Sequence, residues 1–139
     1  MMSDMQNRKS QGWGLAVLRI AVGFVFVMHG GQKLFVYGID GVAGAFVKYG
    51  LPLPVVSAVL ATAAEFLGGL ALLAGFRTRL AAVPVAATMV VAILSVHLGA
   101  GFFLPGVEYP LTLLAALLAL ILAGPGTASV DALLAGRKS

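Results

Sequence analysis

The sequence predicts an all-α membrane protein, a bundle of four transmembrane helices with a short interfacial helix between the first and the second. Three observations carry this. Hydrophobic residues fill 60% of the 139 positions and charged residues only 10%, with a mean hydropathy of +1.04. A soluble domain carries about 25% charged residues, so this chain lacks the polar surface to stay in water. The apolar residues also form runs separated by glycine- and proline-rich breaks, and about 20 helical residues cross a bilayer core. Finally, the basic residues sit at the ends of those runs. The pI near 9.9 therefore reflects headgroups and topology, and no basic patch for nucleic acid is present. The absence of cysteine excludes disulfides, thiol catalysis and cysteine-held clusters within this chain.

Taken in order, residues 1–12 are polar and are expected to form a disordered cytoplasmic tail. They precede a transmembrane domain over 13–135 and a basic cytoplasmic tail over 136–139. The first span, 13–36, organises the rest. At 100° per residue Arg19, Phe26, His29 and Lys33 fall on one side with Ala16, Gly23 and Gly30, whereas Val17, Phe24, Met28 and Phe35 fall on the other. Such a helix turns its apolar face to lipid and its polar face to other helices. Arg8-Lys9 precedes the run as in a signal peptide, but the run is too long and no small-x-small site follows it. A retained helix is expected.

Tyr37-Gly38 breaks the first span. Asp40 can then cap a short helix in which Val42, Ala45, Phe46 and Tyr49 recur at i, i+3, i+4 and i+7, suited to lie in the interface over the bundle mouth. Gly50-Leu51-Pro52 ends it. In the second span, 54–76, Ala58, Ala61, Thr62, Gly68 and Gly69 share the face of Glu65 while Leu60, Leu67 and Leu70 point away, so the small face is the interior one. A tight turn over 75–79 leads to the third span, 80–98, with Pro84 tolerated in its first turn. Residues 99–107 form an outer loop. The fourth span, 108–123, is short for a crossing and ends at Gly124-Pro125-Gly126, with a last amphipathic turn over 128–135.

Four spans place both termini on one side. Arg8, Lys9, Arg77, Arg79, Arg137 and Lys138 lie there, against Lys48 in the opposite loops, and the positive-inside rule makes that side cytoplasmic. At 1.5 Å per residue His29 and His97 lie roughly 24 Å from the cytoplasmic ends of their helices. Lys33 is one turn higher, Glu108 enters at the same level, and Glu65 lies near the midplane between Arg19 and His29.

A charge-neutral brace would pair Arg19 with Glu65 and Lys33 with Glu108. Burying a charge at the bilayer centre costs about 2.5–3.5 kcal/mol, however, and helices can pack on glycines without it. The stronger expectation is a ligand site of His29, Lys33, Glu65, His97 and Glu108, with Arg19 and Glu65 as a structural ion pair. His97 is the weakest member, because Val83, Ala86, Val90 and Ile93 share its face. No Glu/His pair has the i, i+3 or i, i+4 spacing of helical metal motifs, so no metal is expected.

The chain resembles the DoxX/DoxD-like family of small membrane proteins. The matching pieces are Leu18-Arg19 with Gly23 and Phe26, His29-Gly30 with Lys33-Leu34-Phe35, Gly50-Leu51-Pro52, Glu65 with Gly68-Gly69, and Gly75 with Thr78-Arg79. His97, Gly101-Phe102-Phe103, Glu108-Tyr109-Pro110, Gly124-Pro125-Gly126 and Ser129-Val130-Asp131 complete the pattern over about 14–134. The resemblance implies a bacterial inner-membrane protein. It further implies a subunit of a quinone-linked redox or oxidative-stress system. The expected ligand is a quinone-like or other small apolar molecule in an outward-opening intramembrane pocket, and the expected partners are the bilayer and a membrane redox subunit or a second copy. It supplies no catalytic set. A non-enzymatic assembly or anchoring subunit, and a small proton-coupled transporter, are the alternatives.

Overall fold

The computed structural model describes residues 1–136, and every regular element among them is helical. The elements are α1 (Met2–Gly31), α2 (Gly38–Lys48), α3 (Pro54–Ala74), α4 (Thr78–Ala92), α5 (Glu108–Ala123) and α6 (Val130–Gly136). Around the bundle α1 packs on α3, α3 on α4 and α4 on α5, and α5 closes the ring against α1. Three stretches, Met2–Lys48, Pro54–Ala74 and Thr78–Ala100, are long and apolar enough to cross a membrane. The 16 residues of α5 make the fourth, shorter crossing.

The shared core is assembled from one stripe of each span. Val22 and Phe26 of α1 meet Leu72 of α3, Val85 and Met89 of α4, and Leu113, Leu117 and Leu120 of α5. The expected faces of α1 hold for most positions: Ala16, Arg19, Gly23, Phe26 and Gly30 are buried and Val17, Phe24, Met28 and Phe35 are exposed, but His29, expected on the inward side, is exposed. On α3 the small face around Glu65 is likewise the buried one. The helix α2 lies on α3 through Val42, Ala43 and Ala58, with Ile39 and Phe46 alongside.

Several expectations need correction. Residues 2–12 are not an unstructured tail: α1 begins at Met2 and runs into the span without interruption. An established helix extends at little cost, no Pro or Gly interrupts before Gly12, and Asp4 favours the first turn. The first span does not stop at 36 either. It widens into a π-helical segment over Gln32–Tyr37, and Gly38, at φ +68°, turns the chain into α2. Asp40 therefore lies in the first turn of α2 and caps nothing. Because α4 starts at Thr78, Pro84 falls in its second turn. The third span also ends in a π segment, Ile93–His97, before a short 3-10 turn. Arg137 and Lys138 lie outside the described residues.

The end of the bundle that carries the termini is closed by ionic caps. Arg19 is fully buried, and its Nε donates to Pro125 O (2.9 Å), Nη1 to Leu72 O and Leu73 O (both 2.8 Å), and Nη2 to Ala128 O (2.9 Å) and Thr127 O (3.4 Å). A guanidinium has five N–H groups, and each has a carbonyl here. Two of those carbonyls belong to the last turn of α3, where helical C=O groups lack internal partners and the dipole favours a cation. The Asp131 carboxylate performs the opposite task, accepting from the backbone N–H groups of Arg77 (2.7 Å) and Thr78 (2.9 Å) at the start of α4.

Candidate functional site

Glycines bring α1 and α3 together from the Arg19 end of the bundle toward the opposite one. A Cβ on Gly69 would stand 2.6 Å from Val27 N, and one on Gly23 would stand 2.8 Å from Leu73 N. Gly30 backs onto the backbone of Phe66 in the same way. Just past Gly30 the helix widens into the π segment, a feature often found at functional sites, and there Lys33 reaches across to α3. The Lys33 ammonium and the Glu65 carboxylate form a salt bridge, with Glu65 3% exposed and Lys33 23%. Enclosing such a pair sacrifices the hydration of both ions, so removing one partner is far more damaging than removing both. Thr62, three residues before Glu65 on the same helix face, is buried, and its hydroxyl has no hydrogen-bond partner among the described residues.

His29 lies one helical turn before Lys33 and is exposed. Its ring faces Tyr109 of α5, with centroids 6.2 Å apart and planes tilted by 34°. His29 borders an open groove of about 560 Å³ whose other walls include Val27, Met28, Gln32, Val36 and Phe66. This setting offers hydrogen-bonding groups at one edge of an apolar surface, a common form for small-molecule sites, but of the five expected site residues His29 alone lines it; Lys33 and Glu65 do not.

His97 and Glu108 stand apart from that group. The Nδ1 of His97 lies 2.6 Å from Pro105 O, and since a carbonyl can only accept, Nδ1 carries the proton. Glu108 Oε1 accepts from Leu104 N at 2.8 Å. Both side chains hold the 101–107 loop, and Glu108 approaches the His29 group through its sequence neighbour Tyr109.

The expected Arg19–Glu65 ion pair does not form. The observed register sets Gly30 against Phe66, so Arg19 lies about 16 Å further down α1 at 1.5 Å per residue. There it meets the end of α3, and Glu65 takes Lys33 instead. The expected Lys33–Glu108 pair of the brace is excluded for the same reason. Three contributors were not assigned a role from sequence: Thr62, Tyr109 and Asp131. Thr62 could have been found from its phase with Glu65, and Tyr109 from its place beside Glu108; Asp131 carries no local signal.

A family model described as DoxX matches residues 14–98. The chain is 32% identical over 123 residues to a Bacillus subtilis protein provisionally named oxidoreductase CatD, covering 88% of each. It is 37% identical over 133 residues to an uncharacterized membrane protein of Mycobacterium tuberculosis, covering 86% of this chain and 80% of that one. No solved structure matches it.

Proposed function

The chain belongs to the DoxX family of membrane proteins, and from that premise we propose that it is a subunit of a quinone-linked redox or oxidative-stress system. It holds a small apolar ligand with an oxygen-bearing head in a pocket opening to the outside of a bacterial inner membrane. The observation that carries this reading is the buried Lys33–Glu65 pair beside an exposed histidine on an open groove. The oxidoreductase name of the Bacillus subtilis relative points the same way.

The residues fit a quinone. Val27, Met28, Val36 and Phe66 offer apolar contact to a ring or tail, while His29 and the Gln32 amide at the groove's edge can donate to a ring oxygen. The orphaned Thr62 hydroxyl lies on the same side as Glu65. A bound quinone would supply two-electron, two-proton redox chemistry. The chain's own part is to orient the head, to exclude water around Glu65, and to hold a proton at His29 Nε2 or Nδ1. Both termini lie in the cytoplasm in this reading, which puts His29 in the outer half of the bilayer.

Detergent-purified protein should retain lipid-extractable quinone. His29→Ala should lose it while inserting and accumulating normally, because His29 is exposed and contributes little to packing. Glu65→Gln should lose it as well. Absence of quinone from the wild type, or a loss of function in His29→Ala that only tracks membrane abundance, overturns the proposal.

A further inference from the structure

A second groove runs between α3 and α4 on the outward face of the bundle, with a volume of about 310 Å³. Small residues of α3, Ala64, Gly68 and Ala71, form its wall against Pro84 of α4. Exposed Leu67 and Leu80 flank it, so it opens toward lipid. From Ala63 to the end of α3 at Ala74 it follows the helix for about 16 Å at 1.5 Å per residue, about half of a hydrocarbon core about 30 Å thick. The groove therefore spans the depth of one leaflet.

The headgroup end is basic. The groove terminates at Phe76 and Arg77, and the Arg77 guanidinium has no hydrogen bond or ion pair among the described residues. Asp131 is near, but both its oxygens are engaged by the backbone N–H groups of Arg77 and Thr78. Arg79 donates to Ile121 O (3.0 Å) and Leu122 O (2.7 Å), which satisfies its Nη1 without cancelling its charge. Arg79 is turned toward the end of α5, so Arg77 supplies the positive charge at the end of the apolar groove.

We infer that this groove holds one acyl chain of an anionic glycerophospholipid, with the lipid phosphate paired to Arg77. The apolar wall takes the chain and Phe76 lies at the interfacial level, where aromatic rings are favoured. The Arg77 charge selects an anionic headgroup over a zwitterionic one.

Native mass spectrometry of the detergent-purified full chain with added phosphatidylglycerol or phosphatidylethanolamine tests this. The wild type should retain phosphatidylglycerol about fivefold better, the preference expected from one arginine at an anionic surface. Arg77→Gln should abolish that preference without changing the melting temperature. Ala64→Leu, which fills the groove and spares the charge, should reduce retention of both lipids. Equal retention of the two lipids by the wild type overturns the inference, as does full selectivity in Arg77→Gln. So does an Ala64→Leu variant that changes oligomeric state while binding lipid normally, since the groove would then be a protein contact.

Discussion

Lys33 of the π segment meets Glu65 of α3 as an enclosed ion pair, although each is the acid or base that a simple helical ruler would assign to another partner. The axial register makes the meeting possible: Lys33 stands just beyond Gly30, which backs onto the backbone of Phe66, the neighbour of Glu65.

Breaking the pair from one side should be costly. Lys33→Met or Glu65→Gln alone should lower stability by about 3–5 kcal/mol, because the remaining charge or amide is left enclosed without its partner. The double change Lys33→Met with Glu65→Leu should recover most of that loss in thermal unfolding in detergent, yet should not restore ligand retention. Arg19→Met and Glu65→Gln, by contrast, should be additive, since the two groups have no shared partner.

Arg19 should not tolerate lysine. An ammonium has three N–H donors against the five carbonyls that Arg19 serves, so at least two bonds to a charged group are lost, about 3 kcal/mol or more. Hydrogen exchange should accelerate first at the amides of Thr127 and Asp131, which donate to Gly12 O and Gly75 O. Unchanged protection there would mean that Arg19 does not anchor the segment after α5.

Glycine substitutions should separate packing from propensity. Gly69→Ala places a methyl against the backbone of α1 and should cost about 1–3 kcal/mol. Gly44→Ala, in α2 with nothing within 4 Å of the new methyl, should gain up to about 1 kcal/mol. Melting temperatures moving in opposite directions check this.

The 101–107 loop should loosen without the bundle unfolding. His97→Ala or Glu108→Ala removes one of its two side-chain ties. Each should raise proteolysis within 101–107 while the melting temperature of the bundle stays within about 1 kcal/mol equivalent, the worth of one ordinary hydrogen bond.

Topology can be read with single cysteines in this cysteine-free chain. The Lys/Arg asymmetry predicts that Gly44→Cys in intact cells reacts with a membrane-impermeant reagent and that Ser10→Cys does not. The reverse pattern would invert the orientation. Both positions are exposed, so burial does not confound the result.

The sequence alone determined the membrane class, the four crossings, the bounds of α5 and the lipid-facing sides of α1 and α3. These follow from hydropathy and from a 100° step per residue, which are local and need no knowledge of partners. It also marked His29, Lys33, Glu65, His97 and Glu108 as unusual, because ionisable groups in apolar runs are rare. Which of them meet was decided only by the tertiary structure. Partner choice depends on the axial register of α1 against α3, and that register is set by where Gly23, Gly30 and Gly69 let two backbones touch. Arg19 and Lys33 are 14 residues and about 21 Å apart along the helix, so the register decides which of them stands at Glu65. The π turns at Gln32–Tyr37 and Ile93–His97 add a phase shift that a uniform helical period cannot contain. Arg19 found its balance in carbonyls from two distant segments, since helix ends carry partial charge that no residue count reveals.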